Sequence, residues 1–262
     1  MQHQIGSLLK YWRQRRRMSQ LDLAGEAEVS TRHLSFVETG RSKPSRQMIL
    51  ILASALEVPL RERNTLLQVG GFAPVYREAE VDGPGMAQVQ RALDFLLTQA
   101  EPYGAVVIDR QWNMLRYNRP MGIFMALFLG GDQVPNELNI MELSFDPNGL
   151  RPYIQNFEHL ASALIDRLHR QAMLEADSRT EALLERIMAY PGVPENWRAV
   201  TLDRPPELLI PLQLEKGDVR LNLFTTLTVL GTAEDISTSD LAIEHYFPAD
   251  EATEELVRRV MS

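Results

Sequence analysis

The residues best suited to chemistry in this 262-residue chain stand together near its start: Thr31, Arg32 and Ser35, with Gln20, Arg41, Lys43, Ser45 and Arg46 around them. An arginine fork can pair bidentately with the edge of guanine, and small hydroxyls fit either base type or a thymine methyl. The other five are side chains of the kind that hold phosphate oxygens, partly with help from exposed helix N-termini. The chemistry expected is recognition of double-stranded DNA, with base contacts from Thr31, Arg32 and Ser35. Phosphate contacts are expected from Gln20, Arg41, Lys43, Ser45 and Arg46. His33 is within reach of DNA and reads equally well as exposed and idle.

Two short helices must present these residues. Ser19 is a good N-cap for a helix over residues 20–26, with Leu23 and Ala24 as its close-packing positions. Ala27, Glu28 and Val29 make the turn. Ser30 caps a second helix whose Leu34 and Val37 face inward while Thr31, Arg32, His33 and Ser35 face out. Gly40 stops it in a left-handed conformation, and Pro44-Ser45 breaks the chain before the next cap. That is the grammar of a helix-turn-helix, the second helix being the reader.

Three more helices complete an all-α domain of five. The first, over residues 5–15, has Ile5, Leu8, Leu9 and Trp12 at helical spacing and ends in Arg13, Arg15, Arg16 and Arg17, which can grip a phosphate backbone. Ser45 caps a helix to about residue 57 with Ile49, Leu52, Ala53 and Leu56 inward. Pro59 opens a fifth, closed by Gly70-Gly71. Residues 72–85, with Pro74, Gly83, Pro84 and Gly85, read as connection. The boundaries expected are 1–78 for the head, 79–85 for the linker and 86–262 for the body.

In the body the hydrophobic period changes from helix to strand and back. A helix over 86–99 precedes strand-like runs at 103–109 and 112–117, joined as a hairpin at Arg110-Gln111. Asn118 begins a turn into the apolar run 121–129, which as a helix apolar on all sides should be buried on all sides. A helix over 156–172 follows, then a Ser178/Glu181 capping box that starts another. Strands at 208–214, 219–230 and 241–247 precede a terminal helix from Asp250. The order predicts an α+β domain with a five-stranded antiparallel sheet and a helical layer over one face. Met121, Phe124, Met125 and Phe128 can wall an apolar cavity with Trp112, Leu221 and Leu223 opposite; the same stripe also reads as plain core. Arg116 or Tyr117 can meet a carboxylate at the mouth, but alternation along a strand lets only one of the two point inward.

The net charge of −8 argues against nucleic acid, but its distribution reverses that argument. Residues 1–75 carry +5 and the remainder −13, a basic head on an acidic body. The absence of cysteine excludes disulfides and thiolate metal sites and suits a reducing cytoplasm. No signal peptide is legible, and the longest apolar run is about half of the ~20 residues of a membrane span. His159 and His169 fall on different faces of one helix, and no phosphate loop, zinc helix or nucleophile elbow is present, so neither metal, cofactor nor enzymatic activity is expected.

The spacing of residues 19–45 resembles the phage-repressor-like (XRE) helix-turn-helix class. Together with EVPLRERNTLLQVGGFAP (57–74) and VVIDRQWNMLRYNR (106–119), it resembles XRE regulators that carry a MmyB-like C-terminal ligand-binding domain. The resemblance implies a PAS-type body, a homodimer, and a pocket for a fatty acid or similar apolar molecule. Arg116 replaces the family's usual alanine and Tyr117 its tryptophan, and Pro205-Pro206-Glu207-Leu208-Leu209 stands where a His-Pro-x-x-Gly stretch is usual. The function implied is a one-component regulator that binds a two-fold operator and is modulated by an acyl ligand. The alternative is a body that only dimerises or recruits a protein partner.

Overall fold

In the computed structural model the chain divides into two compact units, one built on residues 1–79 and one that carries all of the β-sheet. The structure describes residues 2–78, 83, 86–130, 138–175, 177–193, 197, 209–231 and 235–261. Most of the expected linker at 79–85, and the segment from Pro205 to Leu208, lie outside the described residues.

The first unit holds α1 (Gln2–Arg15), α2 (Gln20–Glu26), α3 (Thr31–Glu38), α4 (Arg46–Ala55) and α5 (Leu60–Val69). Each of three serines does what its position suggests. Ser19 Oγ accepts from the Asp22 amide at 3.1 Å while the Asp22 carboxylate accepts from the Ser19 amide at 2.8 Å, a reciprocal capping box. Ser30 and Ser45 accept from His33 and Met48. The turn between α2 and α3 places Glu28 at φ 52°, and Gly40 ends α3 at φ 71°. Ile5, Leu9 and Trp12 of α1 close over Leu23, Leu34 and Val37, all essentially inaccessible to water. Each such side chain contributes about 1.5–3 kcal/mol of burial. α1 begins three residues earlier than the sequence suggests. Gly6 lets it approach α3 so closely that a Cβ there would lie 2.3 Å from the Val37 carbonyl oxygen.

The second unit is a five-stranded, wholly antiparallel sheet in the order β2-β1-β5-β4-β3. Its strands are β1 (Gly104–Ile108), β2 (Met114–Tyr117), β3 (Leu212–Lys216), β4 (Val219–Val229) and β5 (Ala242–Pro248). β5, last in sequence, is central and pairs with both β1 and β4. Helices stand on both faces rather than one, a departure from the expected single layer. α6 (Ala87–Gln99) packs Leu93 and Leu97 on Ala105, Val107 and Ile243. The strand neighbours Val106 and Ile108 point the other way, into the larger core. That core is completed by α7 (Arg119–Leu129), α8 (Ile140–Phe145), α9 (Phe157–Glu175) and α10 (Ser178–Met188). α11 (Ile236–Ser239), which precedes β5 in the chain, belongs to the first unit; α12 (Glu251–Met261) follows β5, with Glu251 and Glu254 early and Arg258 and Arg259 late, matching its dipole.

Asn118 proves to be a buried hub rather than only a turn. Its Oδ1 accepts from the Met121 amide, capping α7, and from the Ala105 amide, while its Nδ2 donates to the Leu97 and Tyr103 carbonyls. Two expectations are corrected. The cap of α10 is Asp177, one residue before Ser178, because its carboxylate takes the Arg179 amide at 2.9 Å. And α7 is not buried all round: Phe124, Met125 and Phe128 are buried, but Leu127 is 39% exposed. Its second apolar flank faces a cavity.

A DNA-reading helix and a two-chambered body

The fixed point of the head is a buried charge cluster. Arg13 donates from Nε and Nη2 to the two oxygens of Glu38, at 2.6 and 2.9 Å, and from Nη1 to the Met18 carbonyl at 2.8 Å. Gln20 Nε2 donates to Glu38 Oε2 at 2.8 Å. The cluster ties α1 and α2 to the last turn of α3. Burial alone would push the Glu38 carboxyl up, but hydrogen bonds from Arg13 and Gln20 outweigh it and hold it below its ordinary value. The hydrogen bond to Glu38 in turn raises Arg13.

This sorts the terminal arginines. Arg13, expected among those that grip phosphate, is buried and spent on Glu38. Arg16 donates to the Leu56 and Glu57 carbonyls, closing the exposed end of α4, while Arg17 is exposed. Gln20, expected at a phosphate, has its amide turned to Glu38.

Around α3 the expected readers share one outer face. Arg32 is exposed and Thr31 and Ser35 are half-buried beside it. Phe36 was not singled out in the sequence, yet it organises this face. The guanidinium of Arg32 lies 5.4 Å and that of Arg41 6.0 Å from its ring centroid, so one half-buried ring steers two cations. Its signal was an aromatic on the polar side of a recognition helix. Lys43, Ser45 and Arg46 are exposed at the start of α4, with Lys43 over the Phe72 ring at 5.7 Å.

In the body, α7, the middle of the sheet and α12 line a partly open apolar chamber of about 160 Å³. Of the residues expected to line it, Met121, Phe124, Leu221 and Leu223 do. Leu127, Tyr246 and, from α12, Leu256 and Val260 join them; the terminal helix was not foreseen as a wall. Met125 and Phe128 are core instead. Neither candidate for a carboxylate at its mouth is there. Arg116 projects to the α6 face and pairs with Asp94, and Tyr117, 43% exposed, lies against Gly122.

Trp112 lines a second, smaller chamber of about 60 Å³, termed inner because α8 and α9 supply part of its wall, with Ser144, Leu164, Thr225, Glu244 and Tyr246 among its lining residues. Tyr246 borders both chambers. Its hydroxyl donates to Glu244 Oε2 at 2.8 Å. Arg167 of α9 stands 3.9 Å from Glu244 Oε1 and stacks over the Trp112 ring at 4.4 Å. The Trp112 indole donates to Gln171 at 2.8 Å, and Gln171 donates to the Arg110 carbonyl. Burial pushes the Glu244 carboxyl up against the opposing effect of Tyr246, Arg167 and Thr225. It pushes the Tyr246 hydroxyl well up, reinforced by Glu244. The sequence held a signal for this cluster: Leu160, Leu164, Arg167 and Gln171 form one helical stripe that turns polar halfway, and Glu244 sits on the same strand face as Tyr246, the face that Val106 and Ile108 share in the larger core.

A helix-turn-helix head and a body with an apolar chamber define a DNA-binding transcription regulator with a ligand-binding domain. Comparison with protein-family models bears this out. Residues 9–63 match the helix-turn-helix family, and residues 89–260 match the MmyB-like transcription regulator ligand binding domain. The second match covers most of the chain, which belongs to the MmyB-like transcription regulators. A comparison with curated proteins gives no match. Among the described residues, no helix is long and apolar enough to cross a membrane.

Proposed function

We propose that the chain is a one-component sensor. Residues 1–78 are its operator-binding head, 79–85 its linker and 86–262 its PAS-type body, and it acts as a homodimer on a two-fold operator. Thr31, Arg32 and Ser35 contact base edges while Arg41, Lys43, Ser45 and Arg46 hold phosphates. Gln20 contributes through Glu38, by fixing α2 against α3, rather than by its own phosphate contact.

The body takes a small apolar or acyl ligand, and the observation that carries this reading is the outer chamber. At about 160 Å³ it is the size of an engineered apolar cavity, about 150 Å³, that binds benzene. Its walls offer almost nothing but hydrocarbon, which favours a ligand over a body that only dimerises. Ligand and operator are coupled to the extent that the ligand prefers one arrangement of the protein, typically by about 1–3 kcal/mol.

The test is a thermal-shift screen of delipidated protein against straight-chain acids and alcohols. A ligand at about 100 times its dissociation constant stabilises the body by roughly 2.7 kcal/mol. A response graded by chain length is expected; a flat response to every chain, with Leu221→Phe indistinguishable from wild type, refutes the sensor reading.

A further inference from the structure

The two chambers differ in kind. The outer one is hydrocarbon, whereas the inner one has a carboxyl group, Glu244, in its wall, 6% exposed and with the Tyr246 and Thr225 hydroxyls beside it. The inner volume, about 60 Å³, is less than half of the outer one and exceeds the ~10–15 Å³ that one water needs. It has room for the polar end of a molecule. The outer volume suits a body of about six carbons, by comparison with the benzene-binding cavity of similar size. The Tyr246 side chain lines both, so a ligand with its polar end in one chamber and its apolar body in the other would pass beside that ring.

We propose that the inner chamber takes the carboxyl end of a medium-chain acyl acid and holds it against Glu244 as two carboxyl groups sharing one proton, so that the acid binds with uptake of one proton from solvent. The inference rests on the acyl-ligand reading above and names the headgroup site within it. Charge accounting carries it. Among the described residues Arg167 is the one cation beside Glu244, and it sustains a single anion there. A second carboxylate without a proton would place two negative charges in a buried cell, and like-charged carboxyls in contact cannot both ionise. Binding therefore leaves the charge of the cell unchanged: one cation, one anion, and one added proton bridging ligand and Glu244. The burial that already pushes Glu244 up works in the same direction. Among the described residues Tyr246 is the other titratable group facing Glu244; its hydroxyl stays protonated and donates to whichever oxygen carries the charge. The polar groups from the remaining walls, Thr225 of β4, Ser144 of α8 and the Trp112 indole, do not titrate.

The experiment is isothermal titration of the full-length protein with octanoate and with octanol at intervals from pH 6.5 to 8.5, repeated with Glu244→Gln. Uptake of one proton makes octanoate binding tenfold weaker per pH unit, about a hundredfold over the range, while octanol is flat. In Glu244→Gln, whose amide donates to a carboxylate without titrating, octanoate binding becomes independent of pH. Octanoate that binds wild type with no pH dependence overturns the headgroup assignment and leaves the apolar chamber standing. Failure of both octanoate and octanol to bind wild type overturns the acyl reading and this inference with it. The wild-type slope decides the matter even where the variant does not fold.

Discussion

The Arg13–Glu38–Gln20 cluster sets the strongest quantitative expectation. Glu38→Leu removes the anion and leaves the Arg13 guanidinium, itself only 8% exposed, without its partner. Breaking a buried pair from one side costs about 3–5 kcal/mol. For a unit of this size a loss of 3 kcal/mol lowers the melting temperature by at least ~12 °C, since each kcal/mol is worth about 4–8 °C. Replacing both partners, Arg13→Met with Glu38→Leu, removes the desolvated charges together and should recover most of the loss, giving a coupling energy above about 2 kcal/mol. Hydrogen exchange at the Leu34 and Thr39 amides, which close turns of α3 on Ser30 and Ser35, reads the stability of the head alone. Operator affinity should fall in parallel, because the cluster sets the angle of the reading helix against α1 and α2. A single Glu38→Leu variant that loses less than about 1 kcal/mol, or a double variant no better than its parents, refutes the claim that the pair acts as a buried unit.

Other expectations are simpler to state. Because the folded Glu38 carboxyl lies below its ordinary value of 4.5, its contribution is complete above that pH and is lost as pH falls below it; urea titrations of the head from pH 7 to 3 should show the decline, and Glu38→Gln should flatten it. Arg32→Ala should weaken operator binding by about 1–3 kcal/mol and relax one operator position, whereas Arg46→Ala should weaken all sequences alike and reduce the salt slope by about one, as competition binding at several salt concentrations will reveal. Gly6→Ala gains up to ~1 kcal/mol of helix propensity but drives a methyl against the Val37 carbonyl at 2.3 Å, so the net effect on melting should be a loss, of about 1–3 kcal/mol.

What was legible in the sequence was what neighbours decide. Ser19, Ser30 and Ser45 cap as read because a cap is settled within three residues, although the same local reading placed the α10 cap at Ser178 instead of Asp177. The Gly217 turn, at φ 58°, likewise joins β3 to β4 in the gap between the strands expected at 208–214 and 219–230. What was not legible depended on residues far along the chain. Four arginines near the end of α1 look alike in sequence, and only Glu38, 25 positions from Arg13, decides which of them is interior. Arg116 was the plausible partner for a carboxylate until β2 turned it toward Asp94 on the α6 side of the sheet.

The run 121–129 shows why a ligand chamber is hard to read from periodicity. Core and cavity wall make the same demand on a residue, exclusion of water, so a helix apolar on every side announces burial without saying whether protein or ligand provides it. The distinction lies in volume, and volume is set by what α12, some 130 residues later, leaves unfilled. The polar inner chamber was more accessible in principle. A glutamate in the middle of the strand Ala242–Pro248 cannot be accommodated cheaply on a core-facing position unless something answers its charge. Here the answer is Arg167, a cation one turn beyond Leu160 and Leu164 on the core-facing stripe of α9. Two charged residues that each break an apolar pattern, one in a strand and one in a helix, are together a stronger pointer to a site than a surface arginine near the expected mouth, because only the first pair imposes a folding cost that a function can explain.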